Sequence, residues 1–130
     1  MHAFEKKLIQ LYVRYYPFFF IYIFLPSLNK EYLNLYSNQL TGTIPNNLRF
    51  KQAMFADFGR NQFTGPLPDD ISLQWVKLKF LYMDHNQFTG SIPYSYPQTG
   101  NGRLEALVLN NNQLTGWVSD DWADNYKLRE

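Results

Sequence analysis

One pentapeptide recurs four times along this 130-residue chain, and no other feature constrains its fold as tightly. It reads NQLTG at 38–42, NQFTG at 61–65 and 86–90, and NQLTG again at 112–116, with Asn-to-Asn steps of 23, 25 and 26 residues. Near-constant spacing of this kind marks supersecondary units that stack on one another. The flanks keep the same period. Leu104-x-x-Leu107-x-Leu109 precedes Asn112, and Leu78-x-x-Leu81-x-Met83 precedes Asn86. Before Asn61 the slots hold Ala53, Ala56 and Phe58, a weaker copy; before Asn38 they hold Lys30, Leu33 and Leu35. An apolar residue follows each pentapeptide, then proline in three copies: Ile44-Pro45, Leu67-Pro68, Ile92-Pro93, and Val118-Ser119 in the last.

The L-x-L segments alternate, so each reads as a short strand with its leucines inward. A single repeat cannot hide that apolar face, whereas stacked repeats bury it together. The repeated asparagine stands where the chain leaves the strand. Its amide is expected to bond the backbone of its own and adjacent turns, giving a structural ladder of Asn38, Asn61, Asn86 and Asn112. Gly42, Gly65, Gly90 and Gly116 are expected at a tight bend that needs positive φ. The prolines end a second short extended piece on the far side of each coil. Asp69-Asp70 and Asp120-Asp121 resemble an acid–base pair, but each precedes an apolar residue, Ile71 or Trp122, where a short helical turn is expected to start. The pairs therefore read as caps and dipole partners. Leu48, Ile71, Tyr96 and Trp122 are expected to share one inward slot, and Trp75 to lie in the core.

The pattern L-x-x-L-x-L-x-x-N-x-L-T-G-x-I-P resembles the plant-type leucine-rich repeat of receptor-like ectodomains and polygalacturonase-inhibiting proteins. The resemblance implies an α/β leucine-rich repeat solenoid over residues 30–130, with four repeats and the start of a fifth. Such a solenoid is a right-handed arc with short parallel strands on its concave face and irregular or 3₁₀ segments on its convex side. The resemblance says almost nothing about the ligand.

Both ends depart from the repeat. Leu128 occupies the first leucine slot of a fifth copy, and no polar capping repeat follows, so the chain is expected to be a fragment or an incomplete coding sequence. Residues 1–29 form a separate non-repeat segment whose positions 15–26 are apolar and aromatic, behind Lys6, Lys7 and Arg14. Four readings stay open: a signal peptide without a small-x-small cleavage site, a membrane anchor over residues 8–26 burdened by Gln10 and Arg14, sequence foreign to the repeats, or a packed cap. The expected location is membrane-associated or secreted, with the cytoplasm as the alternative.

Composition removes several functions. The 12 basic and 11 acidic residues nearly cancel, which gives no electrostatic reason to expect a nucleic-acid partner. With no cysteine, thiolate chemistry, disulfides and cysteine-bound zinc are excluded. No HExxH, phosphate loop, nucleophile elbow or kinase signature is present. Asp84-His85 is a lone pair, so no metal, cofactor or enzymatic activity is expected.

Within the resemblance, the concave face presents the outward residues of the strands. The first strand carries Tyr32, Asn34 and Tyr36, and the second Phe55, Asp57 and Arg60. The third carries Phe80, Tyr82, Asp84 and His85, and the fourth Ala106, Val108 and Asn110. In register, Tyr32, Phe55 and Phe80 form an aromatic column and Asn34, Asp57 and Tyr82 a polar one. Outward aromatics beside hydrogen-bonding groups suit a protein or peptide ligand, or a carbohydrate. The expected function is a non-catalytic protein-interaction module. An inhibitor of a secreted wall hydrolase and a polysaccharide-binding or adhesion element are the alternatives.

Overall fold

The computed structural model describes residues 31–46, 48, 50–69 and 71–116. The N-terminal segment, Asp70, the Asp120-Asp121 pair, Trp122 and the fifth-repeat leucine lie outside the described residues. Each coil begins with a three-residue strand: β1 (Tyr32–Asn34), β3 (Phe55–Asp57), β5 (Phe80–Tyr82) and β7 (Ala106–Val108). These form one parallel sheet in the order β1-β3-β5-β7. Its register joins equivalent positions, Tyr32 to Phe55 to Phe80 to Ala106 and Asn34 to Asp57 to Tyr82 to Val108. The repeat period sets this register, because a one-residue slip would turn every leucine outward.

A second parallel sheet runs through the pentapeptides: β2 (Thr41–Gly42), β4 (Gln62–Pro66), β6 (Gln87–Ser91) and β8 (Gln113–Thr115), in that order. The sequence suggests only an isolated extended piece here. The signal for a strand is the alternation of Gln and Thr outward with Leu40, Phe63 or Phe88 buried between them. The glycines have the expected positive φ but not the expected place at the tight turn. Gly42, Gly65 and Gly90 have φ of 88°, 78° and 79°, yet they lie inside strands. The tight turn falls instead on Ser37, Arg60, His85 and Asn111, all with φ between 52° and 58°. Side-chain-bearing residues hold this left-handed conformation because each sits directly before the asparagine ladder, whose bonds fix the backbone on both sides.

The core fills from both sheets. Leu33, Leu35, Leu40, Ile44 and Leu48 of the first coil are buried, as are Ala53, Ala56, Phe58, Phe63, Leu67 and Ile71 of the second. The two alanines of the weaker copy are offset by rings in the same region: Trp75 lies 5.3 Å from Phe50 and stacks on Phe58 at 5.9 Å. Large beside small is how a core reaches native density. Phe63 and Phe88 stack coil on coil at 6.0 Å.

The convex side carries short helical turns, α1 (Ile71–Gln74) and α2 (Thr99–Gly102, kinked at Gly100 and Asn101), and a 3₁₀ turn over Tyr96–Gln98. Leu48, Ile71 and Tyr96 occupy the shared inward slot, all buried. Polar atoms on these side chains bridge coils: the Trp75 Nε1–H donates to the Leu48 carbonyl at 2.7 Å, and the Tyr96 hydroxyl to that of Pro68 at 3.0 Å. Among the described residues, no helix is long and apolar enough to cross a membrane.

Candidate interaction face

The ladder comes first, because it holds the face in place. Asn86 Oδ1 accepts the Phe63 N–H of the preceding coil at 3.0 Å. Its Nδ2 donates to Phe58 of that coil at 3.0 Å and to Asp84 of its own at 3.1 Å. Asn61 does the same with Leu40, Leu35 and Phe58, and Asn112 with Phe88, Met83 and Leu109. Asn38 bonds within its own coil, to the carbonyl of Leu35. The four amides thus stand in one row beneath the turns.

Strand hydrogen bonding persists past the strand ends. The Ser37 N–H donates to the Gly59 carbonyl, Arg60 to Asp84 and His85 to Asn110, at 2.9–3.0 Å. This corrects the placement of several candidates. Tyr36, Arg60, Asp84, His85 and Asn110 are not strand residues; the strands end at Asn34, Asp57, Tyr82 and Val108. They form two further rows beyond the strands. Tyr36, Gly59, Asp84 and Asn110 make one, and Ser37, Arg60, His85 and Asn111 the other. Arg60 and His85 therefore sit in left-handed turns at the margin of the face, one row away from where the sequence puts them.

The aromatic column is present. Ring centroids of Tyr32 and Phe55 lie 6.1 Å apart, those of Phe55 and Phe80 6.5 Å, and those of Phe55 and Tyr82 5.5 Å. These spacings allow favourable tilted contact. Tyr32 is 52% exposed, whereas Phe55, Phe80 and Tyr82 are half-buried by one another and by the sheet. The column ends at Ala106 and Val108, which carry no ring.

The polar rows are structured by side-chain turns. Asn34 Oδ1 accepts the Tyr36 N–H at 3.0 Å and Asp57 Oδ1 the Gly59 N–H at 2.8 Å, the same short bond in successive coils. Asp84 Oδ2 meets His85 Nδ1 at 2.8 Å, and His85 Nε2 meets the Asn111 amide nitrogen at 3.0 Å. An amide nitrogen only donates, so Nε2 accepts and Nδ1 carries the proton toward Asp84. Burial raises the Asp57 carboxyl above its ordinary value; the Gly59 N–H pulls it back, and the Asp84 charge pushes it up again. Asp57 and Asp84 were not brought together from the sequence. The absence of a side chain at Gly59, one coil from Asp84 in the same row, is the available signal.

The family model described as Leucine Rich Repeat matches residues 31–50 and 77–98. Receptor-like protein 54 of Arabidopsis thaliana is 38% identical over 88 residues, which is 68% of this chain and 11% of that protein. The chain thus spans about a tenth of the length of that relative. The PEPR1-AtPEP1 crystal structure superposes with a TM-score of 0.72 at 30% identity, over 82% of this chain and 15% of the other. The leucine-rich repeat ectodomain of the receptor kinase GASSHO1/SCHENGEN3 from Arabidopsis thaliana, in complex with CASPARIAN STRIP INTEGRITY FACTOR 2, gives 0.71 at 28% identity, over 81% and 12%.

Proposed function

The chain is built of plant-type leucine-rich repeats, and from that premise we propose that it is a non-catalytic recognition module that binds a protein or peptide on the outward face of its first sheet. The observation that carries the reading is the in-register aromatic column of Tyr32, Phe55 and Phe80, with Tyr82 beside it, set on a sheet clamped by the asparagine ladder. Contiguous aromatic surface held in water is unfavourable unless a partner covers it. Rigid rings with few torsions lose little entropy on binding, which is why such residues dominate interface energetics. Asn34, Asp57, Asp84 and Asn110 supply the hydrogen-bonding rim.

Similar repeats in solved structures carry bound partners, as in the ectodomain in complex with CASPARIAN STRIP INTEGRITY FACTOR 2 and in HAESA in complex with the peptide hormone IDA and the co-receptor SERK1. By that likeness the partner is a secreted peptide or a second ectodomain, met at the cell exterior. Catalysis plays no part in this reading.

The test is capture of plant extracellular peptides and ectodomains by the wild-type chain and by a Phe55→Ala, Tyr82→Ala double variant, quantified by mass spectrometry. Specific capture by the wild type and its loss in the variant, with far-ultraviolet circular dichroism unchanged, is the expected result. Capture that survives the double substitution would place the interface elsewhere.

A further inference from the structure

The outward face of the first sheet carries two chemistries side by side. On one flank stand the rings of Phe55, Phe80 and Tyr82. On the other, Asp57 and Asp84 converge from neighbouring coils over Gly59. A Cβ added to Gly59 would lie 2.8 Å from Asp84 Oδ1 and 2.9 Å from Asp57 Oδ1, so the two oxygens are less than 6 Å apart. Glycine at this one position lets both carboxylates lie down against the backbone.

This arrangement leaves negative charge without a matching cation. Among the described residues, the basic group within 4 Å of either carboxylate is His85, beside Asp84, and it is neutral in the tautomer described above. Asp57 receives the Gly59 N–H and the repulsion of Asp84, and among the described residues no lysine or arginine pairs with it. Asp57 shares its side of β3 with Phe55, two residues back, and its register partner in β5 is Tyr82. Two half-buried like charges therefore border an aromatic cluster whose ring faces also attract positive charge. The carboxylates and the rings come from different residues, and both select the same ligand chemistry.

We propose that the partner docks with a cationic side chain, arginine in preference to lysine, its methylenes lying across Phe55 and Tyr82 and its charged head held by Asp57 and Asp84. The inference rests on the reading of this face as the interface and deepens it by naming the chemistry of the anchor. Arginine is favoured because a planar guanidinium bonds two carboxylate oxygens and stacks on a ring at once, which a point-charge ammonium does not. The neutral stretch at Ala106 and Val108 places this anchor toward the β3–β5 side of the face.

The test uses the full chain and short synthetic peptides that share a tyrosine and differ at one neighbouring position, occupied by arginine, lysine, citrulline or glutamate. Arginine peptides should bind at least about tenfold tighter than citrulline peptides, with an affinity that falls as salt rises. An Asp57→Asn, Asp84→Asn double variant with an unchanged circular dichroism spectrum should lose that preference and bind arginine and citrulline peptides alike. Equal binding of arginine and citrulline peptides, a preference that survives the double variant, or no peptide binding at all overturns the inference. The reading beneath it is separable: if tyrosine-dependent binding persists in the Phe55→Ala, Tyr82→Ala variant, it is the assignment of the face that fails.

Discussion

The side-chain oxygen of Asn86 accepts the backbone N–H of Phe63, 3.0 Å away in the coil before it. That bond ties two sheets together, because Asn86 stands at the exit of the first and Phe63 lies in β4 of the second. Its strength follows from burial: Asn86 is 8% exposed, so neither partner has water to fall back on.

Asn86→Ala should therefore destabilise the chain by about 1–3 kcal/mol, the cost of leaving buried backbone groups unpaired. Asn38→Ala should cost less, because its described bonds run only to its own coil. Urea unfolding midpoints of the two variants, measured side by side, check the order.

Asp57 gives a pH dependence with a definite sign. Burial and Asp84 raise its folded-state pKa above the unfolded value, so folding takes up protons. The stability this supplies is complete below the unfolded pKa and is lost as pH rises through the folded one. Asp57→Asn keeps an acceptor for the Gly59 N–H but cannot ionise. Its melting temperature relative to wild type should climb as pH rises from the carboxylate range to neutrality, and a gap that stays constant would remove the assignment.

Two glycines separate backbone strain from crowding. Gly90 and Gly100 both have positive φ, 79° and 67°. A Cβ at Gly90 meets nothing within 4 Å, whereas one at Gly100 collides with the carbonyl of Leu78. Gly90→Ala should cost about 1–2 kcal/mol for the left-handed backbone alone. Gly100→Ala should cost clearly more, since Leu78 is core backbone that cannot yield. Thermal unfolding of both variants decides it.

His85 should hold a fixed tautomer when neutral, with the proton on Nδ1, because the Asn111 amide donates to Nε2. Nitrogen chemical shifts of the ring report this directly. In Asn111→Ala the bias toward Nδ1–H should weaken, since the Asp84 contact alone remains.

Much of this was legible in the residues. The spacing of Asn38, Asn61, Asn86 and Asn112 specified the coils, and the leucine slots specified which side of each strand is buried. The aromatic column of Tyr32, Phe55 and Phe80 followed from that register. These features are local and periodic, so counting along the chain recovers them. Tyr36, Arg60, Asp84, His85 and Asn110 were harder, because strand ends depend on where inter-coil bonding closes, and those bonds join residues more than twenty positions apart.

What the sequence determined by itself is therefore the repeat, its period and its inward face: each is written within a single coil and enforced by the need to hide leucines from water. Tertiary structure alone decided the second sheet, the left-handed turn at Ser37, Arg60, His85 and Asn111, and the meeting of Asp57 with Asp84 over Gly59. The physical reason is that these features exist only between coils. Each depends on the distance at which one turn stacks on the next, and no single turn carries that distance in its own residues.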